Sequence, residues 1–142
     1  MSEPGFTIID DGAFADFEFE ARGERIEELF ANCARALFAA LTDLESIKPE
    51  LEIEFTVEGD SREDLLFAFL SELIFIKDTR KVFLGEFELK LESDNRLYCL
   101  TRGEPIDRQR HVIKTDVKAA TYHKLKIHKV GNLFVTRVIL DL

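Results

Sequence analysis

The chain has 142 residues, 46% hydrophobic and 33% charged, enough to bury one core of ordinary single-domain size. With 19 Lys and Arg against 28 Asp and Glu, its formal net charge of −9 argues against a domain that grips phosphates by itself. No apolar run reaches the ~18 residues of a membrane span, and Met1-Ser2-Glu3-Pro4-Gly5 lacks the basic and apolar regions of a signal peptide.

Residues 13–21 alternate. Ala15, Phe17, Phe19 and Ala21 take one face and Phe14, Asp16, Glu18 and Glu20 the other, as in a half-buried strand. Asp16 therefore points away from the Phe17/Phe19 side. Gly23 breaks the strand, and Glu24, Glu27 and Glu28 suit the positive end of a helix dipole. Ile26, Leu29, Phe30, Cys33, Leu37 and Leu41 then recur at helical spacing, predicting a helix over 24–42. Leu51, Ile53, Phe55 and Val57 alternate with polar residues as a second strand, closed by a Gly59-Asp60 turn.

Ser61-Arg62-Glu63-Asp64 has capping-box spacing, with Ser61 as N-cap and Asp64 reaching back. Leu65, Leu66, Phe69, Leu70, Leu73 and Ile74 form the apolar stripe of a second helix ending near Lys77. Strands follow over 82–91 and 95–101, joined by a Ser93-Asp94-Asn95 hairpin turn. Residues 102–114 read as a loop with three arginines and His111. Residues 121–129 alternate again, and Gly131-Asn132 turns them into an apolar strand that ends at Asp141-Leu142. The tally is an α+β domain: a largely antiparallel sheet of six or seven strands with two helices packed on one side.

No standard catalytic motif is present. Cys33 and Cys99 share no metal-binding spacing and read as small core residues, which fits a reducing, cytoplasmic setting. His128 shares a solvated face with Lys124 and Lys126. His111, among Arg108, Arg110 and Lys114, belongs either to a solvated loop or to a basic contact for a phosphate or acidic partner. The run 114–123 mixes donors and acceptors with Ala119 and Ala120, which allow close approach. Lys118 in that run can balance nearby carboxylates, and the plainer reading is an edge strand whose polar residues block aggregation.

Asp16 and Asp141 each sit in or close an apolar strand. If those strands are neighbours, the two carboxylates and the chain terminus form an oxygen-rich site suited to Ca²⁺ or Mg²⁺. If they are not, Asp141 is a solvated strand end.

Several separated segments, in order, are similar to the archease family: Ala15-Asp16 with Gly23, residues 65–75, Gly103-Glu104, residues 118–123 and the terminal 138–142. The resemblance covers nearly the whole chain and implies a single archease-like domain over 1–142. It implies a non-enzymatic cofactor protein of a tRNA-splicing RNA ligase, the enzyme that joins 2′,3′-cyclic-phosphate or 3′-phosphate ends to a 5′-hydroxyl. Such a protein promotes guanylylation of the ligase histidine and multiple turnover. Carried over by residue, Asp16, Asp141 and Leu142 would hold a divalent cation, Ca²⁺ first and Mg²⁺ or Mn²⁺ next, with Lys118 close by. The partner implied is the ligase, with no direct nucleic-acid contact and no membrane. One departure stands out: the family's His-Thr-Ala-Asp is Ala13-Phe14-Ala15-Asp16 here, so support from that His is absent. Two other readings are a non-catalytic binding or chaperone module, and an independent metal-dependent hydrolase built on the two aspartates.

Overall fold

A computed structural model describes residues 5–10 and 16–142. The alternation of Phe17, Phe19 and Ala21 with Glu18, Glu20 and Arg22 becomes strand β2 (Asp16–Gly23), whose aromatic face is buried. Before it lies β1 (Phe6–Asp10), which the sequence pattern does not single out. The helical stripe becomes α1 (Ile26–Leu41), with Glu27 and Glu28 in its first turn. Next come β3 (Leu51–Glu58), α2 (Arg62–Arg80), β4 (Val82–Ser93) and β5 (Arg96–Pro105). Three shorter stretches finish the chain: β6 (Ala119–Ala120), β7 (Ile127–Val130) and β8 (Leu133–Asp141).

The α+β reading holds, with the described strands divided between two antiparallel sheets. The first has the order β1-β2-β8-β6, with β7 also pairing β8; the second has the order β3-β5-β4. Helix α1 packs on β2 of the first sheet and β4 of the second, while α2 packs on the second sheet and β6. Phe30, Phe38, Phe69 and Leu37 are fully buried in the core, and Phe30 stacks on Phe69 with 5.9 Å between ring centroids. Cys33 and Cys99 are buried free thiols. Burial raises the pKa of both, that of Cys99 to about 12, so neither is a nucleophile at neutral pH. No helix of the described residues is long and apolar enough to cross a membrane.

Ser61 caps α2 as its spacing predicts, its hydroxyl accepting the Asp64 N–H at 3.0 Å. The Asp64 carboxylate accepts the Tyr122 hydroxyl instead of turning back on the cap, and Tyr122 packs on Phe67. The predicted 102–114 loop is shorter than expected, because β5 continues through Pro105. Gly103 permits this. A Cβ there would collide with the carbonyl of Phe83 on the neighbouring strand. Both sides of that contact are backbone, so Gly103→Ala should cost more than about 2 kcal/mol in urea unfolding.

Residues 121–126 form a turn, not the predicted strand. The Leu125 N–H donates to the Tyr122 carbonyl (3.0 Å), and Lys124 takes a left-handed φ of 59°. Leu125 is buried from that turn, which imitates strand alternation in the sequence.

Candidate metal centre

The outer face of the first sheet is set by one bulge-free ladder. β2 and β8 pair from Asp16↔Asp141 to Gly23↔Phe134. Direct antiparallel partners project to the same face, so Asp16 and Asp141, both exposed, stand side by side on the outer surface. The pairing is of the closer kind. The Ile139 and Asp141 carbonyls are engaged on the β6 side, by Thr121 N–H (3.2 Å) and Lys118 N–H (2.8 Å), so neither bonds toward β2. Asp16 and Asp141 are therefore a non-hydrogen-bonded pair, with Cα atoms about 4.5 Å apart. Two carboxylates in that relation repel each other.

On the other flank of Asp141 lies Ala119, its direct partner in β6. The methyl side chain leaves the carboxylate open. A strap built by residues 114–118 brings Ala119 there. Lys114 and Thr115 N–H groups donate to the Leu41 and Ala40 carbonyls at the end of α1 (3.0 and 3.3 Å). The buried ammonium of Lys77, from α2, binds the Asp116 carboxylate (2.7 Å) and the Val117 carbonyl (3.3 Å). That hydrogen bond from Lys77 holds the Asp116 pKa below its ordinary value. Lys77 is thus an anchor for this corner, a role its place near the end of an apolar stripe conceals.

The structure therefore brings together Asp16, Asp141 and the backbone of Lys118. The Lys118 side chain is exposed and makes no ion pair among the described residues. Leu142 packs its side chain against the core, tethering the end of β8. Ala13 and Phe14 lie outside the described residues. Among the described residues no group of three or more His, Cys, Asp or Glu side chains gathers as a metal cage. Two carboxylates offer oxygen donors alone, a set that fits a hard cation and leaves most of its six to eight positions to water or to another molecule.

His111 departs from its expected place. It is buried, 4% exposed, and not part of a solvated loop. Its Nδ1 accepts the Asp107 N–H (2.9 Å), and its Nε2 lies 2.9 Å from Oε2 of the buried Glu104. The Glu104 carboxylate also takes the Lys48 N–H (2.8 Å) and an ion pair from Arg110. Burial raises its pKa, but the hydrogen bonds from Arg110, Lys48 and His111 outweigh this and hold it at about 2. The sequence signal was the Gly103-Glu104 pair alone; the role it marks is structural.

Residues 6–142 match the model of the Archease protein family (MTH1598/TM1083). The protein archease of Methanothermobacter thermautotrophicus is 36% identical over 141 residues, covering 97% of this chain and 99% of that one. That of Pyrococcus furiosus is 36% identical over 119 residues, covering 82% and 84%. The solution structure of Methanobacterium thermoautotrophicum protein 1598 superposes with a TM-score of 0.78 at 34% identity, covering 99% of this chain and all of that one. A Thermotoga maritima archease, described as a possible chaperone, shares the fold with a TM-score of 0.62 at 22% identity, covering 100% of this chain and 98% of that one. With this coverage by family, relatives and fold, the chain belongs to the archease family.

Proposed function

We propose that this chain is a non-enzymatic activator of a tRNA-splicing RNA ligase, promoting guanylylation of the ligase histidine and repeated turnover through a cation held by Asp16 and Asp141. The observation that carries the reading is the direct cross-strand pairing of those two carboxylates on an open face. Like charges held this close call for a counter-ion, and an oxygen-only set favours Ca²⁺, Mg²⁺ or Mn²⁺. When bound, the cation would supply Lewis-acid charge and orientation for a phosphate group.

The residues of this chain then have distinct tasks. Asp16 and Asp141 would hold the cation, and a main-chain oxygen of Leu142 is the third candidate ligand. Ala119 keeps the approach open, and the strap under Lys77 holds it in place. A cation held by so few protein oxygens has room for donors from a docked partner, which suits an activator better than a self-sufficient hydrolase. The acidic surface suits docking to a basic RNA enzyme. Lys118 is exposed and bonded through its backbone N–H to the Asp141 carbonyl, which supports a role for it in contacting the partner.

The test is guanylylation of the ligase with this protein present at a small fraction of its concentration. Stimulation beyond one turnover per protein added is expected. Unchanged rates with every ligase tried would sink the activator reading.

A further inference from the structure

The net charge of −9 conceals a local reversal: residues 117–140 contain no Asp or Glu but include Lys118, Lys124, Lys126, Lys129 and Arg137. Part of this segment lines a shallow groove of about 270 Å³ on the outer face of the first sheet. Lys124, Lys126, His128 and Arg137 surround it, with Val135 and Thr136 beneath. The local fold builds this cluster. His128 is the direct partner of Val135, and the Thr136 hydroxyl donates to the Lys126 carbonyl (2.7 Å), fixing Lys126 beside Arg137. Lys124 joins them only because it accepts a left-handed φ of 59°, a conformation that costs a non-glycine residue stability.

The acidic composition makes this grouping informative. Two arginines of the second sheet are taken up by carboxylates, Arg102 by Glu52 and Glu88 and Arg96 by Glu58 and Glu92. Lys124 and Lys126 have no such partner among the described residues. The one acid lining the groove, Glu20, lies near Arg137 (3.9 Å) and Arg22 (3.7 Å), and Arg137 also pairs with Glu18 (3.4 Å), so the charge left over in the groove is that of Lys124 and Lys126. Lys129 is engaged separately, its ammonium 5.3 Å from the centre of the Phe134 ring.

We infer that this groove binds the phosphates of a single-stranded nucleic acid. The exposed His128 ring and Arg137 guanidinium give flat surfaces on a sheet, the kind on which unpaired bases stack. An acidic peptide added as an extra strand is disfavoured, because the Ile127 N–H of β7 is already taken by Glu63 (3.0 Å). The inference departs from the expectation of no nucleic-acid contact, because it rests on local and not net charge. It is independent of the ligase reading and is tested without any ligase.

The experiment measures fluorescence anisotropy of a labelled oligouridylate with the full chain at low salt. The double variant Lys124→Glu with Lys126→Glu should weaken binding tenfold or more, and Lys90→Glu on the other sheet should leave it unchanged. Raising salt from about 50 to 200 mM should weaken wild-type binding roughly twentyfold, as release of counter-ions from about three phosphates requires. Both lysines are exposed, so the variant should fold, and circular dichroism is the check. Absence of binding at low salt, or equal binding by the double variant, overturns the assignment. Displacement of the RNA by polyglutamate at equal charge concentration also overturns it and assigns the groove to an acidic protein.

Discussion

Asp141→Ala should reduce stimulation of ligase guanylylation at least tenfold while leaving the protein as stable as before or slightly more so. The two effects have one cause. Asp16 and Asp141 are direct partners on an exposed face, so each raises the electrostatic cost of the other. Removing one relieves roughly 0.2–1 kcal/mol of repulsion, yet takes half of the carboxylate donors from the cation. Asp16→Ala should behave alike, and the double variant should lose little more than either single one, because the two act as a unit. Single-turnover guanylylation and urea unfolding, run on the same preparations, read both effects. A variant that stimulates fully removes these carboxylates from the mechanism, and one that loses activity only by unfolding assigns them a structural role. Calorimetric titration with Ca²⁺, Mg²⁺ and Mn²⁺ should show wild-type binding lost in each variant.

Glu104→Gln should cost roughly 3 kcal/mol at neutral pH, and that cost should vanish in acid. The Glu104 carboxylate is almost fully buried, takes the Lys48 N–H at 2.8 Å, meets His111 at 2.9 Å and pairs with Arg110. Its pKa falls from 4.5 to about 2, which corresponds to roughly 3 kcal/mol of stability above the unfolded value. The pKa is depressed in the folded state. The contribution is therefore complete above about pH 4.5 and disappears as pH falls toward 2. Urea midpoints taken between pH 7 and pH 2.5 should converge for wild type and variant at the acid end. Parallel curves across that range would show that the charge on Glu104 contributes nothing. The partial exposure of Arg110 puts the expected cost at the lower end of the range for a broken buried pair.

The helices and long hairpin strands were legible because each buries one face of itself, and burial imposes a period of 3.6 or 2 within a few residues. The alternation that placed Asp16 opposite Phe17 and Phe19 is of this kind, and the burial of those rings bears it out. Other features were not legible. The β6 strand is two residues long, too short to carry any period. Leu125 is buried from a turn, so its apolar character was read as part of a strand that begins only at Ile127. His111 is buried because Glu104 and the Lys48 backbone meet there, and composition cannot reveal a partner supplied by another segment. The register between Asp16 and Asp141 belongs to the same class. The sequence offers two carboxylates at the ends of apolar runs, and only the paired ladder brings them side by side.

The position of β8 has a consequence for the order of assembly. Strands β3, β4 and β5 with α2 are contiguous, and their sheet can close while later residues are still being synthesised. The other sheet cannot. β8 pairs with β2, β6 and β7, so β2 must wait with its inner edge unsatisfied until β8 leaves the ribosome. Pairing across so much intervening chain is slow. The juxtaposition of Asp16 and Asp141 is therefore among the last events of folding, and an incompletely folded chain cannot present both carboxylates to a partner.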